Sequence, residues 1–369
     1  MKVVTVVGTR PEVIRLSRVI ARLDESVDHV LVHTGQNSDH GLNGVFFEEM
    51  GLRSPDISFG VDTNSLGSIL GDIMRMTENL LRQEQPDAFL VLGDTNSGLS
   101  ALIAKRMNIP VYHMEAGNRC FDENVPEETN RRVIDHLADF NLVYTEHARR
   151  NLLAEGLPAR RIMLTGSPMR EVLNFYTDEI AASDVMARLG IMTNEFFLVS
   201  AHRQENVDDP ERLDALLMCL QSVAQKWGLP VLVSTHPRTK QKLDTRGIHE
   251  IPGVQFHEPF GFFDYCHLQT KALCVASDSG TISEEASILG FPAVTLRSSI
   301  ERPEALDAGL IITTDLRPEI LIGGIQASIR DRHLASIPFE YEPANTSVRV
   351  RNFILSTARE HRAWSGLRS

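Results

Sequence analysis

Residues 3–12 read VVTVVGTRPE. Five β-branched residues in succession suit a strand covered on both faces. Gly8 permits a tight turn, and Pro11 suits the first position of a helix. The free N–H groups of that helix start, with Arg10 in the turn and Arg15 on the helix behind it, suit an anion; solvent-facing arginines are the plainer reading. No G-x-G-x-x-G follows the strand, which disfavours a tightly bound dinucleotide.

Outward from this unit the pattern repeats. Short apolar runs at residues 3–7, 30–33, 89–92, 111–114 and 142–145 alternate with amphipathic segments, the mark of a parallel sheet. It restarts at residues 196–200, 231–234, 254–256, 273–276, 293–296 and 310–313, giving a second sheet. The sequence thus predicts an α/β protein of two doubly wound, Rossmann-like domains, residues 1–168 and 169–346, with a hinge at Gly166, Ser167 and Pro168. A helix is expected from about Arg170 to Leu189. A last helix, 347–369, starting after Asn345, is expected to cross back to the first domain.

The length, 369 residues, fits two domains of about 150 residues. With 37 Lys and Arg against 49 Asp and Glu, the net charge of −12 argues against nucleic-acid binding. An anionic ligand must then be met by a local cluster of cations. No stretch free of charge approaches the roughly 18 residues of a membrane span. The first residues lack a signal-peptide pattern, so a cytoplasmic location is expected. Cys120, Cys219, Cys266 and Cys274 show no C-x-x-C spacing and read as reduced, buried thiols.

In open parallel sheets ligands lie beyond the carboxyl ends of the strands. Two adjacent runs exit into Gly93-Asp94-Thr95-Asn96-Ser97 and Glu115-Ala116-Gly117-Asn118-Arg119, each presenting a carboxylate. Asp94 also suits a helix N-cap; Glu115, in a polar turn, has no such explanation. Pro126 opens a helix on which Glu127 and Arg131, spaced i and i+4, share a face. In the second half His202 and His236 follow successive strands. Neither H-E-x-x-H nor a Cys/His cluster accompanies them, so no metal is expected. Ser279, Gly280 and Thr281 bring hydroxyl and N–H donors to a helix start, the natural seat of a phosphate, with Glu285 further along to accept a ribose. Arg302 follows the next strand and could clamp the same phosphates.

Together GTRPEVIR at residue 8, GDTNS at 93, MEAGNR at 114, PEETNRR at 126, AHRQEN at 201, SDSGTISEEASILGFPAV at 277 and ERPEALDAG at 301 resemble the non-hydrolysing UDP-N-acetylglucosamine 2-epimerase family. The resemblance implies the GT-B type fold, two domains facing across a cleft that binds a UDP-sugar, no cofactor, and a homodimer. By motif, Arg10, Asp94, Glu115, Glu127, Arg131 and His202 match the family's essential polar residues, and Ser279, Gly280, Thr281, Glu285 and Arg302 its UDP-holding ones. Arg15 stands where Lys is usual, Thr281 where Gly is usual, and Phe260 where many members have Gln near the uracil; Tyr265 resembles their aromatic. Residues 36–40, QNSDH, lack the His and Met of the loop that binds activating UDP-sugar, so activation is not expected. NRCFDENVPEETNR, TGSPM and EPFGFFDY look closest to the branch that converts UDP-2-acetamido-2,6-dideoxy-L-talose to UDP-N-acetyl-L-fucosamine, a precursor of surface polysaccharide.

C2 of such a sugar is not next to a carbonyl, so its C–H is not acidic enough for simple deprotonation. The family's route eliminates UDP to a glycal and adds it back. Asp94, Glu115 and Glu127 are the proton-transfer candidates, and clustering of like charge is expected to raise at least one of their pKa values. Arg10, His202, Arg302 and the helix start at Ser279 are candidates to hold the departing diphosphate. A GT-B glycosyltransferase and a non-catalytic UDP-sugar sensor are the competing readings.

Overall fold

The computed structural model describes residues 1–36, 47–299 and 301–367. It divides into two compact units, Met1–Val172 with Glu342–Ser369, and Leu173–Tyr341. In the first unit, strands β1 (Lys2–Val7), β2 (Asp28–His33), β3 (Ile57–Ser58), β4 (Ala88–Leu92), β5 (Val111–Met114), β6 (Phe140–Val143) and β7 (Ile162–Leu164) pair in the order β3-β2-β1-β4-β5-β6-β7, all parallel. The register sets Val4 between Val30 and Phe89. Side chains alternate across the sheet, and both faces are apolar. Val3, Val7, Leu31, Leu90 and Tyr112 meet helix α1 (Arg10–Asp24) on one face. Val4, Val6, Val32, Phe89 and Val91 pack with Leu80 and Leu81 on the other. Burial on both sides is why these strands read as continuous apolar runs.

Further helices include α2 (Pro126–Leu137), α3 (Phe262–Lys271), α4 (Ile282–Leu289) and α5 (Thr346–Thr357). Helix α5 belongs to the first unit. Its Val350 and Ile354 join that unit's core, and Thr357 Oγ1 lies 2.7 Å from Tyr112 Oη.

The second unit carries β8 (Phe197–Ser200), β9 (Val231–Ser234), β10 (Val254–His257), β11 (Cys274–Ser277), β12 (Ala293–Thr295) and β13 (Ile311–Thr313), parallel in the order β10-β9-β8-β11-β12-β13. These are the six runs expected from sequence. β3, two residues, and β7, three residues, were not read in the sequence.

The single helix expected over residues 170–189 is instead three short ones, Met169–Phe175, Thr177–Ala181 and Val185–Leu189. Tertiary ties account for the breaks: the Tyr176 ring packs against Phe262 and Phe263, and Ser183 donates to Asp264 at 2.6 Å while accepting from the Val185 amide. All four cysteines are buried and free. No described helix is long and apolar enough to cross a membrane.

Candidate active site

In each sheet the strand order reverses at one point, between β1 and β4 in the first unit and between β8 and β11 in the second. Loops leaving adjacent strands there diverge and open a crevice. Arg10 and Asp94 stand on these loops in the first unit and His202 and Ser279 in the second, and the other candidates lie on neighbouring exits and helices.

In the first unit the β1 exit is built around Glu12. Its Oε2 accepts from the Gly8 and Thr9 amides, both at 2.7 Å, and from the Thr9 hydroxyl at 2.9 Å. The Gly8 and Thr9 amides of this turn are thus taken by the protein's own carboxylate. Thr9 and Glu12 have the T-x-x-E spacing of a capping box, a signal from which this could have been read. Gly8 is needed because a Cβ there would come within 2.5 Å of Thr34 Oγ1. Arg10 is the first residue of α1 and half-buried.

Asp94 leaves β4 and is not a cap. The short helix Asn96–Ser100 is preceded by Thr95 at its N-cap, while Asp94 Oδ2 lies 2.6 Å from Arg131 Nη2. Glu115 leaves β5 with φ +64°, a left-handed conformation rare outside glycine and one that an ordered surrounding must hold. Its carboxylate pairs with Arg15. The next turn is fixed by Asp135, fully buried, which accepts from the Gly117 amide at 3.2 Å, from Arg119 at 2.7 Å and faces His113 Nδ1 at 2.9 Å. His113 Nε2 in turn lies 2.8 Å from the Gly93 carbonyl. One buried network thus holds the exits of both β4 and β5.

The helix α2 pairing differs from expectation. Arg131 meets Glu128, at 3.4 Å, as well as Asp94. The Glu127 side chain makes no hydrogen bond or ion pair among the described residues, and the residue is half-buried. Three residues apart on a helix brings Glu128 to the same buried side as Arg131. Glu128 also accepts from the Cys120 amide and from Arg132, which holds its carboxyl below the usual range despite burial. Asp94 and Glu115 each face a guanidinium. Burial pushes the Glu12 carboxyl upward.

In the second unit Asp278, fully buried and missed in the sequence, organises the β8 exit. It accepts from the His202 amide, the Arg203 amide and Asn206 Nδ2, each at 3.0 Å. His202 Nδ1 lies 3.3 Å from the same carboxylate, and its ring sits 5.7 Å from that of His236. His236 accepts the Arg238 amide at 3.2 Å as a cap.

Beyond β11, Ser279 Oγ and Thr281 Oγ1 lie 2.9 Å apart at the N-terminus of α4. Arg302 is pinned to this turn: its Nε donates to the Gly280 carbonyl at 2.8 Å, and Nη2 lies 3.2 Å from Glu284. Ser279, Gly280, Ser283, Arg297, Glu301 and Arg302 line a small concavity. Glu301 partly balances these cations, accepting from Arg297 at 3.2 Å and lying 3.7 Å from Arg203. Glu285, buried on α4, accepts from Gln269 of α3 at 2.6 Å. Tyr265, also on α3, is bonded to Ser200; burial and the Glu285 charge push its phenol up. Among the described residues no group of three or more His, Cys, Asp or Glu is placed to hold a metal. Of the segment 36–40 read for activation, residues 37–40 lie outside the described residues.

The UDP-N-acetylglucosamine 2-epimerase family matches residues 21–355. The chain belongs to this family. A UDP-N-acetylglucosamine 2-epimerase from Rickettsia bellii is 41% identical with a TM-score of 0.90 over 98% of both chains. The Methanocaldococcus jannaschii enzyme, solved in complex with UDP-GlcNAc and UDP, is 31% identical with a TM-score of 0.90, covering 96% of this chain and 100% of that one. A UDP-2,3-diacetamido-2,3-dideoxy-D-glucuronate 2-epimerase from Pseudomonas aeruginosa is 31% identical over 89% of this chain and 92% of its own. A glycotransferase of kitacinnamycin, at 12% identity and a TM-score of 0.59 over 96% of this chain and 98% of that one, shares the fold alone. Family membership makes this chain an enzyme of the two-domain, Rossmann-like epimerase type.

Proposed function

We propose that this epimerase inverts C2 of a UDP-2-acetamido sugar by eliminating UDP and adding it back, with UDP-2-acetamido-2,6-dideoxy-L-talose as substrate and UDP-N-acetyl-L-fucosamine as product. The observation that carries the reading is the pair Asp94 and Glu115 at the ends of adjacent strands, each beside its own arginine. Two separately held carboxylates suit a reaction that removes a proton from one face of C2 and returns one to the other.

In the forward half, a carboxylate takes the C2 proton, the C1=C2 bond forms, and the C1–O bond breaks with its electron pair going to UDP. The return half adds the UDP oxygen to C1 and a proton to the opposite face of C2. Asp94, Glu115 and Glu127 are the proton carriers in this reading, with Arg131 and Arg15 holding the first two. The growing charge on UDP is met by Arg10, His202, Arg302 and the donors of Ser279, Gly280 and Thr281. Glu285 accepts the ribose hydroxyls, and His236 and Tyr265 line the nucleotide. The absence of a dinucleotide fingerprint supports elimination over transient oxidation. The family resemblance further supports a homodimer working in the cytoplasm on precursors of surface polysaccharide.

The test is NMR of the products formed from the 6-deoxy-talose substrate, from UDP-N-acetylglucosamine and from a diacetamido uronic acid, each alone in deuterium oxide. Epimer formed from the first substrate, with deuterium at C2, is the expected result. Product that keeps the substrate hydrogen sinks the elimination route, and a preference for UDP-N-acetylglucosamine moves the chain to the main branch. A glycosyltransferase would leave the sugar unchanged without an acceptor, and a hydrolysing enzyme would release free sugar and UDP.

A further inference from the structure

Glu12 has no part in the chemistry assigned above, yet it is only 2% exposed, and its carboxylate is divided between two loops. Oε2 serves the β1 exit, accepting from Gly8 and Thr9. Oε1 serves the β4 exit, accepting from Ser97 Oγ at 2.7 Å and Thr95 Oγ1 at 2.9 Å. Capping α1 needs only the first set. The second set contributes nothing to the cap and reaches 85 residues along the chain. Thr9 precedes Arg10, and Thr95 follows Asp94, so one side chain joins the backbone that carries the cation to the backbone that carries the carboxylate. The cost is a carboxyl withdrawn from water.

We infer that Glu12 is a positioning residue of the epimerase, fixing Arg10 and Asp94 relative to one another through its two oxygens. The inference rests on the epimerase reading. A displacement of about 1 Å in such a pair is enough to cost on the order of 100-fold in rate.

Three variants separate this role from simple capping. Glu12→Ala removes both sets of hydrogen bonds. Thr95→Val with Ser97→Ala cuts only the second set and leaves the cap, so it stays informative where Glu12→Ala fails to fold. Glu12→Gln keeps both sets, because its carbonyl can accept from the amides while its NH2 donates to the two hydroxyls. The expected result is a kcat lowered about 100-fold in Glu12→Ala and at least about 10-fold in the double variant, with KM and UDP affinity within about 3-fold. Glu12→Gln is expected to recover most of the rate. A double variant as fast as wild type overturns the inference, and so does a Gln variant as slow as the Ala one.

A second readout needs no substrate: amide hydrogen exchange over residues 93–98 should quicken in Glu12→Ala and in the double variant. If wild-type enzyme leaves C2 of every UDP-sugar untouched, the epimerase reading fails while this measurement still judges the tie. Unchanged protection at 93–98 overturns it.

Discussion

Two helix starts in this molecule look alike in sequence and behave oppositely. Both follow a strand with a turn rich in glycine and hydroxyl residues and have acids nearby, Gly8 to Glu12 before α1 and Ser279 to Glu285 at α4. At α1 the acid folds back onto the turn, and Glu12 fills the amides. At α4 the acids are engaged elsewhere: Glu284 faces Arg302 and Glu285 accepts from Gln269. Their placement leaves the Ser279–Thr281 turn facing Arg302, with the Glu301 carboxylate beside Gly280 but not bonded to the turn's amides. A helix N-terminus is an anion seat only where no neighbouring acid takes it first. In the proposed reading the first unit spends its helix start on order and leaves its chemistry to the carboxylates at the ends of β4 and β5, while the second keeps its helix start for a diphosphate.

That division predicts separable defects. The largest is expected from Glu115→Gln, which keeps the shape of the strained turn and removes a proton carrier: kcat should drop about 10² to 10⁴-fold with UDP affinity within about 3-fold. Near-normal turnover would move the base elsewhere. Arg302→Ala attacks the other unit, taking a guanidinium from buried Glu284 and a donor from the Gly280 carbonyl. UDP affinity by calorimetry should fall about 100-fold, and breaking a buried pair should lower stability by about 3–5 kcal/mol. Smaller still is Ser279→Ala, which should weaken UDP by about 10-fold, as loss of a hydrogen bond to a charged group does. Thr9→Ala, at the occupied turn, should leave UDP affinity unchanged. Equal losses in these last two variants would erase the distinction between the turns.

Much of this was legible in the sequence, for reasons that also explain the gaps. The second unit's inner strands could be read because they are apolar on both faces, while edge strand β10 is read from Val254 and Phe256 on one face, its Gln255 being exposed. Asp94 and Glu115 could be found because a carboxylate ending a buried strand is conspicuous. What could not be read depends on which long-range partner wins. The i, i+4 rule pointed Arg131 at Glu127, whereas it forms ion pairs with Glu128 one residue on and with Asp94 in another loop. Asp135, Asp278 and Glu12 each accept backbone amides brought together by the sheet, and only Glu12 had a local signal. The break of the 170–189 segment at Tyr176 and Ser183 likewise answers to α3, some 80 residues away.

The smallest effect probes how the occupied turn is held. Burial lifts the Glu12 carboxyl above the ordinary value of 4.5, opposed by the donors of Ser97, Gly8, Thr95 and Thr9. The folded state then keeps the proton to higher pH than the unfolded chain. Between 4.5 and the raised value the folded protein binds more protons, so the free energy of unfolding falls as pH rises and levels off above that value. Glutamine carries no proton to lose. Urea unfolding of wild type and Glu12→Gln from about pH 4.5 to 7.5 should therefore show wild type losing ground to the variant as pH rises, then a constant difference. A difference that grows in wild type's favour with pH would mean the donors outweigh desolvation. In that case Glu12 would hold the turn as a bound anion does, and the two helix starts would differ only in whether their anion comes from the chain or from a ligand.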